Sequence, residues 1–279
     1  MIFLRNIKKC FSLVTIILLC TTCKTLKKPA QANQIVESSQ IIYHPLESDK
    51  DLDILIKEIG DARIVLLGES THGTREFYEW RSLITKRLVT EKGFNVIAVE
   101  GEWADSYRVN RFIKGPAADS AQAVALLRQY DRWPTWMWGN YETAALVTWL
   151  NQYNQGKANA EKAGFYGLDV YCLWESMEEL MPFIQNNTSL LTSAQQVHQC
   201  FQPFSADPMQ YAYAVSTASA NCRSQAESLW ESAANLGVAV TPEQETAFLI
   251  QQNALVALNG ETVLPLMIMK NPGTSATVT

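Results

Sequence analysis

Two apolar runs, Arg63-Ile64-Val65-Leu66-Leu67 and Asn95-Val96-Ile97-Ala98-Val99, flank a stretch in which Phe77, Trp80, Ile84 and Leu88 recur at helical spacing. Runs of this kind without polar alternation predict strands buried on both faces, and the intervening period predicts an amphipathic helix. Gly68 closes the first run, Thr74 is placed to cap the helix, and Lys92-Gly93 is placed to end it. Strand, helix and strand in sequence make a βαβ unit, which requires a parallel sheet covered by helices.

The rest of the pattern is mostly helical. Ser48 to Ile59 reads as a short helix with Ser48 as N-cap and Leu52, Leu55, Ile56 and Ile59 on one face. Trp103 to Ile113, Ser120 to Tyr130 and Glu142 to Tyr153 carry helical periods, whereas Gly164-Phe165-Tyr166-Gly167-Leu168-Asp169 reads as a third sheet strand. Further helices are expected from Leu173 to Leu258, interrupted near Pro203 and Pro208. The expected fold class is α/β, a parallel sheet flanked by helices with a large helical portion, in one domain over residues 43–279.

The first residues follow a different logic. Arg5, Lys8 and Lys9 precede the apolar run Phe11 to Leu19, which is too short to span a bilayer, and Ala30-Gln31-Ala32 offers a cleavage site. Residues 1–32 therefore read as a secretory signal peptide and 33–42 as a polar linker, so export to the periplasm or beyond is expected. Leu19-Cys20 and Cys23 leave a lipoprotein anchor open, although Thr22 is a poor residue before a lipidated cysteine; no other stable membrane attachment is expected. Past the leader, Cys172, Cys200 and Cys222 remain, with no CxxC spacing. A Cys200–Cys222 disulfide with Cys172 free and a set of three reduced, buried thiols both fit this count.

Composition narrows the partners. With 47% apolar and 18% charged residues the chain is globular, and its net charge of −5 comes without a Lys/Arg stripe beyond the leader. Nucleic acid is not an expected partner, because phosphate binding needs concentrated basic surface. Small molecules are.

In parallel sheets the ligand crevice lies beyond the carboxyl ends of the strands. Three such ends carry polar groups: Gly68-Glu69-Ser70-Thr71-His72, Glu100 with Glu102, and Asp169. A neutral imidazole in the first of these turns is suited to take a proton from water, with an acidic neighbour to hold its tautomer. A histidine in such a turn can equally be a cap or a packing residue, so the turn alone leaves both readings open. The competing chemistries lack their signatures: the chain has no HExxH, GxSxG, Walker or GxGxxG motif. With only His44, His72 and His198, a multi-histidine metal site needs all three to converge.

The motifs LGESTHGTREF, GFNVIAVEGEWADSYRVNRFIKG, RWPTWMWGN and GFYGLDVYCLWESM, in this order, resemble the erythromycin esterase family, hydrolases known for opening macrolide lactones. The likeness runs from about His44 to Asn259. The resemblance implies that His72 is the general base that activates water, that Glu69 and Glu100 are acids lining the same cleft, and that Arg81 meets the substrate or the oxyanion. It places Asp105, Arg108, Trp136, Asn140, Asp169 and Tyr171 in motifs that wall the pocket. It implies an ester or lactone substrate, with no cofactor or metal expected. Gly139 stands where the family commonly has an arginine, and Cys172 where it commonly has a serine. The likeness fades near Glu261, whereas family members run on through further motifs, so a C-terminally truncated domain with exposed core surface and reduced or absent activity is expected.

The rival expectation is a non-catalytic small-ligand or glycan-binding protein, in which Trp133, Trp136 and Trp138 stack on a ring and His72 is structural.

Overall fold

In the computed structural model, which describes residues 44–68, 70–130, 134–236 and 242–270, the sheet is a parallel pair of strands, β1 (Val96–Glu102) and β2 (Gly164–Asp169). Helices α1 (Asp53–Ile59) and α2 (Arg75–Glu91) precede it. The crossover between the strands carries α3 (Trp103–Lys114), α4 (Ser120–Leu127) and α5 (Tyr141–Asn154). After β2 come α6 (Leu173–Ile184), α7 (Thr188–Phe201), α8 (Pro208–Ser216), α9 (Arg223–Ala234) and α10 (Pro242–Lys270). The protein is α/β with a dominant helical portion.

The pairing of the two strands is irregular at one point. Val96 to Val99 match Gly164 to Gly167 one for one, but the next matched pair is Glu102 with Asp169. β1 therefore holds one extra residue, a bulge at Glu100-Gly101. Bulges are uncommon in parallel pairs, and they redirect the groups at a strand end. A Cβ on Gly167 would stand 2.4 Å from the carbonyl oxygens of Gly101 and Glu102, so the strands approach there only because residue 167 has no side chain.

One face of the sheet is sealed. Ile97, Val99 and Phe165 pack with Val109, Ile113, Val147 and Leu150 of α3 and α5. Tyr166 packs with Trp103 and Phe248, bringing α10 against β2. A third cluster joins α6 to α10 around Leu180, Val197, Tyr211 and Ala254. Cys200 and Cys222 are disulfide-bonded, tying the end of α7 to the start of α9, and Cys172 is free and buried. Of the two cysteine readings, the paired one holds.

Buried amides lock the crossover. The Asn154 side chain donates to the Ile113 carbonyl at 3.0 Å and the Ala163 carbonyl at 2.9 Å, and accepts from the Ala163 N–H at 2.8 Å. Asn110 accepts from the Phe165 N–H and donates to Glu245, which also accepts from Lys114 at 2.7 Å. α3, α5, α10 and the start of β2 are thus held together by side-chain hydrogen bonds.

The βαβ expectation needs one correction. α2 forms as predicted, with Thr74 at its N-cap and Gly93, at φ 72°, past its end, although the Thr74 side chain makes no capping bond. Residues 63–67, however, form no ladder with β1. Ile64 and Leu66 are 77% and 89% exposed, and Val96 and Leu168 on the sheet are 60% and 66% exposed. A run written for burial on two faces lacks that cover here: Val65 alone is partly buried, the other four residues face water, and no strand pairing is locked in.

Replacing Asn154 with alanine should lower the unfolding free energy by about 2–4 kcal/mol, since it orphans a buried N–H and two buried carbonyls. Urea denaturation monitored by circular dichroism checks this; a loss below about 0.5 kcal/mol would mean the clasp is dispensable.

Candidate functional site

Between residues 65–67, β1 and helices α2 and α5 lies a cleft of about 360 Å³. Its depth is apolar, lined by Leu88, Val89, Val99, Leu146 and Phe165, and Arg81, Glu100 and Glu142 supply its charged groups. Arg75 reaches from the start of α2 to Glu142 at the start of α5 at 3.0 Å, so an ion pair joins the two helices that form this side of the cleft. Being well exposed on the Arg75 side, the pair contributes little to stability, on the order of 0–1 kcal/mol.

The predicted residues divide into three groups. Arg81 and Glu100 line the cleft together. Arg81 lies over the Tyr78 ring, 4.8 Å from its centroid, and donates to the Phe77 carbonyl. His72 is half-buried in the turn before α2, outside the lining, and its carbonyl accepts from the Tyr78 hydroxyl, a lining residue, at 2.9 Å. Glu69 and Trp133 lie outside the described residues.

A second group is engaged in ion pairs and caps. Arg108 contacts Asp105 at 2.9 Å and Glu179 at 3.2 Å, and Arg111 completes the set on Glu179 at 2.9 Å, joining α3 to α6. Asn140 is the N-cap of α5: its oxygen accepts from the Thr143 N–H at 2.7 Å and its amide donates to the Trp136 and Met137 carbonyls. A Cβ on the neighbouring Gly139 would stand 2.6 Å from the Thr135 carbonyl oxygen, so this loop is wound too tightly to admit an arginine at 139.

The third group stands at the strand ends. Glu102 is buried and faces Asp169 across the ladder. Beside them the Cys172 thiol accepts from the Ala104 N–H and pairs with the Ser176 hydroxyl, each at 3.4 Å. Burial, reinforced by the negative Glu102, pushes this thiol up to about 12, so it stays protonated and unreactive at neutral pH.

Two residues central to this geometry are not predicted in the roles they take. Tyr78 lies six positions after His72, close enough for its hydroxyl to fold back onto the turn. Trp138 donates its indole N–H to the Glu100 carbonyl at 2.7 Å, with its ring edge-on to Tyr78 and to Phe165. That placement packs the Trp138 ring against two others and spends its polar edge, which is not the arrangement of an open stacking platform.

Sequence comparison decides the family. The profile described as erythromycin esterase matches residues 89–276, two thirds of the chain. The chain belongs to the erythromycin esterase family. The match takes in β1, Glu100 and the Trp138 loop; the His72 turn precedes it. Among curated proteins, erythromycin esterase type II of Escherichia coli is 32% identical over 129 residues, covering 46% of this chain and 28% of that enzyme. The chain thus spans under a third of the length of this curated family member. Two solved structures share the fold: a succinoglycan biosynthesis protein (TM-score 0.57, 23% identity) and a Bacillus cereus protein (TM-score 0.59, 22% identity). Each match covers 80% of this chain and 54% of the other. Among the described residues no helix is long and apolar enough to cross a membrane, and no group of three or more His, Cys, Asp or Glu is arranged to hold a metal.

Treating the native protein with iodoacetamide at pH 8 should leave Cys172 unmodified, and adding urea should expose it. Mass spectrometry of the peptide that carries Cys172 reads the result; rapid native labelling at Cys172 would contradict the buried, protonated thiol.

Proposed function

We propose that the protein is an exported hydrolase that cleaves an ester or lactone of a small molecule with water activated by His72. The observation that carries this reading is the cleft: Arg81 and Glu100, two of the residues matching the family's site, share its lining, and Tyr78 ties the His72 turn to the same wall. The leader-like first residues and the Cys200–Cys222 disulfide accord with an oxidising compartment outside the cytoplasm.

In this reading the neutral imidazole of His72 takes a proton from a water molecule as the oxygen attacks the carbonyl carbon. The carbonyl electrons move to oxygen, and the guanidinium of Arg81 stabilises the resulting oxyanion. Collapse of the tetrahedral intermediate breaks the bond to the alkoxide, which takes the proton back from the imidazolium. Glu100, with Glu69, orients the base and stabilises its charged form. The apolar depth of the cleft takes the hydrocarbon part of the substrate.

The test is the purified full chain against a panel of simple esters and macrolides, beside His72→Ala. The substitution should cut kcat/KM by about 10²–10⁴-fold. Hydrolysis that survives His72→Ala would reject His72 as the base. Saturable binding without turnover in the wild type would favour the ligand-binding alternative.

A further inference from the structure

We propose that Tyr78 and Trp138 are positioning residues, a two-ring bridge that sets the His72 turn and the Glu100 end of β1 in register with one another across the cleft. The inference deepens the reading of His72 as a base, but its geometry stands apart from that reading.

The parts of the bridge are specific. At one end the Tyr78 hydroxyl donates to the His72 carbonyl at 2.9 Å, fixing the backbone that carries the imidazole. In the middle the Tyr78 ring meets the Trp138 ring edge-on, at 88° with centroids 6.4 Å apart, a favoured aromatic geometry. At the other end the indole N–H donates to the Glu100 carbonyl at 2.7 Å. That carbonyl belongs to the bulge of β1, where the one-for-one pairing with β2 is interrupted. The bulge releases an acceptor from the strand register, and the indole takes it.

The room for the indole is also built in. A Cβ on Gly101 would stand 3.0 Å from the Trp138 Nε1 and 3.4 Å from its Cδ1, so any side chain at 101 would press on the ring. Trp138 cannot retreat freely, because its other side meets Phe165 on β2 at 6.1 Å. Arg81 sits over the Tyr78 ring, so the same ring also locates the cation assigned to the oxyanion.

The experiment reads His72 from the far end of the bridge. The chain holds three histidines, so the imidazole signals of ¹⁵N-histidine-labelled full-length protein are few, and His44 and His198 serve as internal references. Gly101→Ala and Trp138→Phe should each move the His72 imidazole signals while leaving those of His44 and His198 in place. In a Tyr78→Phe background, which removes the hydroxyl and keeps the ring, Gly101→Ala should lose most of that effect. Where the wild type hydrolyses an ester, Tyr78→Phe should lower kcat about tenfold with KM changed less than about twofold.

His72 signals that stay fixed in folded Gly101→Ala or Trp138→Phe protein would overturn the bridge, as would effects that persist undiminished in the Tyr78→Phe background. The outcomes separate the two claims. Coupled signals with hydrolysis that survives His72→Ala support the bridge and reject the base; uncoupled signals with hydrolysis lost in His72→Ala do the reverse.

Discussion

The bulged parallel pairing of β1 with β2 redirects the backbone groups at the carboxyl end of β1. A regular ladder would carry Glu100 and Gly101 into register with β2 and leave their carbonyls committed along the strand. The extra residue instead turns the Glu100 carbonyl toward Trp138 and brings β1 so near β2 that only a glycine is accommodated at position 167. From that point the chain enters α3 directly, so Glu102 ends the strand and stands at the N-cap position of the helix, without a side-chain capping bond. The cleft, the Trp138 loop and the buried strand-end group around Cys172 all lie beside this irregular step of the ladder.

Around that pairing the protein substitutes polar clasps for breadth of sheet. Two strands offer little area for helices to pack on, and Asn154, Asn110 and Lys114 supply directional bonds between α3, α5, α10 and β2. Because Asn110 and Asn154 are buried, losing a partner there costs more than making the bond gains, which turns two amides into strong determinants of helix placement. The same economy leaves apolar residues of the sheet and of residues 63–67 facing water. Related proteins are longer: the curated family member has more than three times the length that the chain covers, and the solved neighbours nearly twice.

The same physics explains which parts of the fold and the site are legible in the sequence. Helices with one apolar stripe, such as Arg75–Glu91 and Tyr141–Asn154, declare themselves because their period is local. β2 is readable to the residue because Gly164 opens it and Asp169 ends the apolar pattern. Residues 63–67 carry the strongest strand pattern in the chain and yet do not pair, since pairing depends on what lies beside them and composition reports only on themselves. At the cleft, Glu100 and Arg81 are expected from motif and position. Tyr78 is not, because a tyrosine on the buried side of a helix looks like core, and its hydroxyl bond to His72 has no sequence signature. Asp105, Arg108 and Asn140 stand in the expected motifs, but Asp105 pairs with Arg108, Arg108 also pairs with Glu179, and Asn140 caps the start of α5. Motif membership alone does not distinguish a side chain that waits for a ligand from one that holds the scaffold.

Under the proposed function, a small ester or lactone binds in the cleft between residues 65–67, β1 and α2. The most direct measurement is a titration of the ¹⁵N-labelled full chain with erythromycin, following the Trp138 indole N–H together with the backbone amides of Gly73, Gly101 and Glu100. The account predicts that these four signals shift together and saturate, while the indoles of Trp174 and Trp230 in the helical cluster stay fixed. Saturable shifts confined to α6–α10, with the cleft signals unmoved, would contradict it.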